Sequence, residues 1–349
     1  MSSALHDVFS HAGATMGQYR GAETPARFTG PRREYDAFRS ACAVYDLGWR
    51  SKLLVAGPDR TRWLNGMVTN NIRDLALNRG VYCFLLNAQG RIQADMNVYH
   101  RAEYLLIDTD RSQRGRLLEI SEKFIIMDDV EVSSADEKLT AIGVGGPKAT
   151  EVLDKAGLAT RDLAALEVRD MSLNSTGLSL VRTDQTHNFE MWISPQNAGG
   201  MWNALVGSGA TPAGYEAFEL VRVAQGWPAY GQDIRERDLP QETGQQRALH
   251  FQKGCYVGQE IVERIHSRGS VHREFVGLRF DGESPPCGSK IHAAGKEVGE
   301  ITSTAALPTG SGERAVGLGY IRREVAAANP SLDVDGKPAH IAALPFEKI

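Results

Sequence analysis

Near Ser270 the texture of the chain changes, and that change limits the fold more than any single residue does. Downstream, the runs Phe275 to Phe280, Lys290 to Ala293, Val298 to Ser303 and Ala315 to Ile321 follow one another with Gly and Pro between them. Short strands with turn residues at each end predict a small β-barrel. Upstream, strand-length apolar runs alternate with segments of helical period, which predicts mixed α and β structure.

The upstream part divides further. Residues 1 to 30 read as a polar, weakly ordered arm of little chemical consequence, leading into a short helix that carries Tyr35, Phe38 and Cys42 at helical spacing. From Lys52 a strand runs through Val55, Gly57-Pro58 turns the chain, and a helix passes through Trp63 and Leu64. Val81 to Asn87, Ile92 to His100 and Tyr104 to Asp108 read as strands, and Arg111 to Phe124 as a helix; together they suit a split βαβ sheet with helices on one face. A second unit starts near Lys138: Leu139 to Val144 is a buried strand, and Pro147 opens a helix through Leu153. Met171 to Leu173 and Leu178 to Arg182 form a hairpin, and Glu216 to Gln225 is a helix stopped by Gly226 and Pro228.

Composition removes several classes of function. With 349 residues and 42% hydrophobic composition the chain can bury two or three cores. Its formal charge is −4 and its Lys and Arg are scattered, which argues against nucleic acid or a membrane surface as partner. No apolar run reaches transmembrane length, and the first thirty residues lack the core of a secretory signal, so a cytoplasmic location is expected. Arg20, Arg27, Arg32 and Arg33 could belong to a transit peptide, but Asp7 and Glu23 interrupt it. Cys42, Cys83, Cys255 and Cys287 are far apart with no C-x-x-C pair, so neither a zinc site nor a resident iron–sulfur cluster is expected. The run Gly143 to Lys148 lacks the G-K-[ST] ending of a phosphate loop and predicts no nucleotide site.

The densest chemistry lies in Lys253-Gly254-Cys255-Tyr256-Val257-Gly258-Gln259-Glu260. A nearby Lys and a following helix each favour the thiolate of a cysteine, and Gln259 to Arg268 reads as an amphipathic helix. Cys255 also fits a small buried hydrophobe in a Gly-rich turn, and the residues alone leave both possibilities open.

K-G-C-Y-x-G-Q-E resembles the signature of the YgfZ-type folate-binding proteins, relatives of the glycine-cleavage T-protein tied to the synthesis or repair of iron–sulfur clusters. Similarity extends in family order through Leu53-Leu54-Val55-Ala56-Gly57-Pro58-Asp59, Met67-Val68-Thr69-Asn70-Asn71-Ile72, Phe218-Glu219-Leu220-Val221-Arg222 and Gly226-Trp227-Pro228-Ala229-Tyr230-Gly231. The resemblance implies an α+β, three-domain T-protein-like ring with folate in its central opening. Its parts would be a discontinuous folate-binding domain (1–52 and 137–250), a split βαβ domain (53–136), the signature loop and connecting helix (251–272), and a C-terminal β-barrel domain (273–349).

The resemblance also implies site residues. Glu190 sits where T-protein relatives carry a glutamate that grips the pterin through two parallel hydrogen bonds, although taken alone it reads as an outward-facing acid of an alternating strand. Asn188 replaces the family's usual glycine. Ala94-Asp95 stands where the T-protein has paired aspartates, so one participant in aminomethyl transfer is expected to be missing. Arg222, Lys253 and Arg264 are candidates for the glutamate tail of folate, and Tyr230 and Trp227 for stacking on the pterin. The implied function is a tetrahydrofolate-binding accessory protein of iron–sulfur cluster synthesis or repair, with client or assembly proteins as partners. Cys255 would be its reactive thiol, and Lys253 would stabilise the thiolate. The alternatives are a tetrahydrofolate-dependent aminomethyltransferase or methyltransferase, with Asp95 in a catalytic role, and a non-catalytic folate-sensing module.

Overall fold

Alternation from Ala94 onward along strand Ile92–His100 sets the layout of the first sheet. Ala94, Met96 and Val98 face one way, into a core closed by Trp63 and Leu64 of helix Arg60–Met67 and Leu117 of helix Arg114–Phe124. Asp95 and Asn97 face the other way, as a strand period of two requires. This computed structural model describes residues 5–347 except 174, 186, 270, 311 and 329. The sheet has five strands, in the order Gly80–Leu86, Ile92–His100, Leu105–Asp110, Arg50–Ala56 and Glu131–Ser134. Every pair in it is antiparallel. Both helices lie on one face, as expected, while the three-strand meander makes the sheet broader than a minimal split βαβ unit.

A second sheet has six strands, in the order Glu167–Leu173, Thr176–Arg182, Asn188–Ile193, Thr140–Gly145, Ala43–Asp46 and Thr211–Ala213. The chain leaves it after Ala43–Asp46, builds the five-stranded sheet, and returns at Thr140–Gly145. Phe9 of helix His6–His11, Leu153 of helix Ala149–Lys155 and Trp202 of helix Pro195–Gly207 fill a core with Ile142, Val144 and Met191. A separate core joins Tyr35 and Phe38 of helix Pro31–Ser40 and Val221 of helix Tyr215–Gln225 to Tyr45 and Trp192.

Three local expectations need correction. Helix Pro31–Ser40 ends before Cys42, which is buried in the lead into strand Ala43–Asp46. Pro147 lies in a turn, not in the helix: Gly146 has φ +117°, a Cβ there would stand 2.6 Å from the Ala41 carbonyl, and the helix begins at Ala149. The N-terminal segment is no loose arm, since Thr15–Tyr19 and Ala22–Arg27 pair as a hairpin and Leu5 and Phe9 are fully buried.

After helix Gln259–Arg268, six strands close a barrel in the order Arg273–Phe280, Gly312–Arg322, Lys296–Thr309, Lys290–Ala293, Leu332–Val334 and Lys337–Ala342. The last two are too short and polar to stand out by alternation. Leu307, Val316 and Leu318 of the barrel share a core with Val221 and Val223, which docks the barrel on helix Tyr215–Gln225. Among the described residues no helix is long and apolar enough to cross a membrane.

Candidate functional site

The polar faces of the two sheets meet across an open cavity enclosing about 880 Å³, mouth included. Strand Asn188–Ile193 contributes Glu190, strand Ile92–His100 contributes Asp95, and the turn of the N-terminal hairpin contributes Arg20. The segment Trp227 to Tyr230, just past the C-terminus of helix Tyr215–Gln225, forms a further wall.

Glu190 is held but not saturated. Trp192 Nε1 donates to its Oε2 at 3.2 Å and Lys52 Nζ lies 4.0 Å from the same oxygen. Among the described residues Oε1 has no hydrogen-bond partner. Burial, reinforced by the Asp108 carboxylate, raises the Glu190 pKa, while Lys52 and Arg50 pull it back. A half-buried carboxylate with a free oxygen is a receptor for an N–H donor.

Asp95 is fixed on both oxygens. Tyr82 Oη donates to Oδ2 at 2.8 Å and Gln113 Nε2 to Oδ1 at 2.8 Å. Burial and the neighbouring Asp110 raise its pKa, so it holds a proton more readily than an ordinary aspartate. The preceding Ala94 is fully buried in the helix-side core. An acid there would face away from the cavity, so the alanine does not remove a cavity group as the sequence comparison suggested.

Along one side of the cavity runs a ladder of alternating charges, of which Arg50, Asp110, Arg20 and Arg222 reach the lining. Lys52 donates to Asp108; Arg50 binds Asp108 at 2.6 Å and Asp110 at 2.5 Å; Arg20 bridges Asp110 at 3.1 Å and Glu219 at 3.3 Å. Burial would raise the Asp108 pKa, but Arg50 and Lys52 more than offset it and hold the group low. Arg222 continues the ladder and gives all five of its N–H groups to the protein: to Glu219, Asp233, Ser303 and the Trp227 carbonyl. It borders the cavity, yet none of its donors remains for a folate tail. Tyr230 likewise spends its hydroxyl on the Gln93 carbonyl at 2.6 Å, leaving its ring to the cavity.

The octamer lies outside this lining. Lys253 points inward: its Nζ donates to the carbonyls of Asn65 and Val68 at the C-terminal end of helix Arg60–Met67, and burial pushes its pKa down to about 8. The charge expected to stabilise a Cys255 thiolate is therefore used as a helix cap. Tyr256 is buried with Phe84 and Leu86, and Gly258 has φ +82° where a Cβ would stand 2.5 Å from the Asn87 carbonyl. Cys255 is left exposed in a loop braced on both sides. Arg264 is exposed on helix Gln259–Arg268 and does not line the cavity.

Five of the eight candidate site residues singled out from sequence thus meet at the cavity: Asp95, Glu190, Arg222, Trp227 and Tyr230. Cys255, Lys253 and Arg264 do not. Arg50, Tyr82 and Asp110 of the lining were missed, as were two further cations. Arg20 lies in the supposed arm, at a turn with φ +46° that polarity alone does not reveal. Arg247 precedes the octamer, pairs with Asp184, and stacks its guanidinium 4.5 Å from the Tyr82 ring centroid.

A three-body α+β fold with an acid-bearing central cavity defines the class to which comparison with known proteins now gives a name. The chain belongs to the GCVT N-terminal domain family, which matches residues 5–253, and residues 273–345 match the CAF17, C-terminal beta-barrel domain. An aminomethyltransferase of Saccharopolyspora erythraea is 28% identical over 98% of this chain and 96% of its own length. A putative chloroplastic transferase of Arabidopsis thaliana is 26% identical over 94% of this chain and 76% of its own. The solved structure of glycine cleavage system aminomethyltransferase T from Bartonella henselae superposes with a TM-score of 0.91 at 20% identity, covering 100% of this chain and 98% of that one, which establishes the common fold.

Proposed function

We propose that the cavity binds tetrahydrofolate or a derivative, and that the protein is a folate-binding accessory factor in the synthesis or repair of iron–sulfur clusters. The observation that carries the folate part is Glu190: a half-buried carboxylate with one oxygen open to the cavity suits the adjacent N–H donors of a reduced pterin. Bound tetrahydrofolate would supply a carrier for one-carbon units. The chain's own residues orient it: Lys52 and Arg50 steady the Glu190 charge, the Tyr230 ring offers a stacking face, and Arg247, whose Nε and Nη1 are held by Gln245 and Asp184, keeps Nη2 for a glutamate tail. The cluster part rests on the resemblance of the octamer and on Cys255, which its braced loop presents to solvent for contact with a client protein.

A second proposal, tetrahydrofolate-dependent aminomethyl or methyl transfer, is favoured by Asp95, which faces the cavity with a raised pKa suited to holding or moving a proton. The names of the similar aminomethyltransferases support it as well.

Deleting the gene and restoring it as wild type, Cys255→Ala, Glu190→Ala or Asp95→Ala separates the two. Iron–sulfur enzyme activities should fall on deletion, return with wild type, and stay low with Cys255→Ala and Glu190→Ala. Full recovery with Cys255→Ala would remove the thiol from the account. Loss of glycine cleavage alone, unrepaired by Asp95→Ala, would establish the transferase instead.

A further inference from the structure

Two hydroxyls of the barrel reach the cavity wall through one saturated node. Strand Lys296–Thr309 shifts register between Ile301 and Ser303, so Thr302 is the extra residue of a bulge. Consecutive strand residues ordinarily point to opposite faces, but here both hydroxyls converge on one carboxylate oxygen: Thr302 Oγ1 donates to Asp233 Oδ1 at 2.5 Å and Ser303 Oγ donates to it at 2.7 Å. Asp233 Oδ2 accepts from Arg222 Nη1 at 2.6 Å and from the Ala229 amide at 2.9 Å. Ser303 Oγ in turn accepts from Arg222 Nη2 at 2.8 Å and from Gln232 Nε2 at 2.9 Å. Every donor and acceptor site of the Ser303 hydroxyl and the Asp233 carboxylate is used, and both residues are fully buried.

The cavity wall hangs from this node. Arg222 Nη1 donates to the Trp227 carbonyl at 2.8 Å while Asp233 accepts from the Ala229 amide, so Trp227 to Tyr230 is pinned at two backbone points by side chains whose own positions depend on the barrel. We infer that Ser303 and Thr302 are positioning residues of the ligand cavity, acting through Asp233 and Arg222 on the wall formed by Trp227, Pro228, Ala229 and Tyr230. The barrel then serves binding although none of its described residues lines the cavity. Replacing Ser303 by Ala leaves an Arg222 N–H and an Asp233 lone pair unpaired in a buried site, and the strain falls on the segment those groups hold. This deepens the folate proposal and rests on it for the ligand, but the wall's position can be read without any ligand.

The test uses the full chain as wild type, Ser303→Ala, Thr302→Val and Thr302→Ser. Two readouts apply: amide hydrogen exchange of Trp227 to Tyr230 in the free protein, and anaerobic titration with tetrahydrofolate. Thr302→Val keeps the shape and loses the hydroxyl, Thr302→Ser keeps the hydroxyl, and Thr302→Val substitutes for Ser303→Ala should that variant not fold. Loss of either hydroxyl should speed exchange in the wall selectively and weaken tetrahydrofolate binding about fivefold, with Thr302→Ser within about twofold of wild type. Unchanged exchange and affinity in both hydroxyl-deleted variants would overturn the inference, as would faster exchange spread evenly over barrel and wall. If wild type does not bind tetrahydrofolate, the folate proposal fails while selective exchange in the wall still supports the positioning role.

Discussion

Replacing Lys253 by Met should make the protein's stability less sensitive to alkaline pH, and the size of the effect follows from where the ammonium sits. It is buried against the carbonyls of Asn65 and Val68, and burial lowers its pKa from 10.5 to about 8. Between those values the unfolded chain keeps a proton that the folded chain has released, so stability must rise with pH across that window. Below pH 8 both states are protonated and the cost of the buried charge is constant, about 3 kcal/mol at 1.36 kcal/mol per pH unit. Between pH 7.5 and pH 10 the wild type should therefore gain about 2 kcal/mol relative to Lys253→Met. The thiol of Cys83, the titratable group that opposes the shift, is pushed up to about 12 by its own burial and stays neutral throughout. Urea unfolding of both proteins at the two pH values gives the double difference, in which other titrating groups cancel. A difference below about 0.5 kcal/mol would mean that burial does not depress the Lys253 pKa, and would refute this reasoning.

Two further outcomes probe the octamer. Gly258→Ala should cost about 1–3 kcal/mol in urea unfolding, because φ +82° and the Asn87 carbonyl 2.5 Å from the new Cβ leave no place for a side chain. Cys255→Ala should shift the unfolding midpoint by less than about 0.5 kcal/mol and leave tetrahydrofolate affinity within about twofold, since the thiol is exposed and outside the cavity lining; a larger change in affinity would place it in the binding site.

Where periodicity was strong the sequence was legible. Alternation located Ile92–His100, and helical period located Gln259–Arg268 to the residue. The barrel was readable from its Gly and Pro punctuation, although Leu332–Val334 and Lys337–Ala342 escaped because three to six residues of mixed polarity carry no period. At the site, motif likeness found Glu190 and Asp95, which are local features of single strands. It failed for Lys253, whose neighbour in sequence is Cys255 but whose partners in space, Asn65 and Val68, lie on a helix nearly two hundred residues earlier. Arg222 failed in the same way: a conspicuous cation in the chain proves to be fully spent on Glu219, Asp233 and Ser303. Charge in a sequence shows that a partner is required, and only the fold shows whether that partner is a ligand or the protein itself.

Anaerobic titration of tetrahydrofolate into wild type and Glu190→Gln tests the central claim most directly. Glutamine keeps the shape of Glu190 but cannot accept two parallel N–H bonds as an anion, so affinity should fall at least about tenfold with no loss of folding. Because Glu190 must be ionised to accept both bonds and burial raises its pKa, wild-type affinity should also weaken as the pH is lowered, whereas Glu190→Gln should be insensitive. Equal affinity of the two proteins, or no binding by either, would contradict a folate cavity built around Glu190.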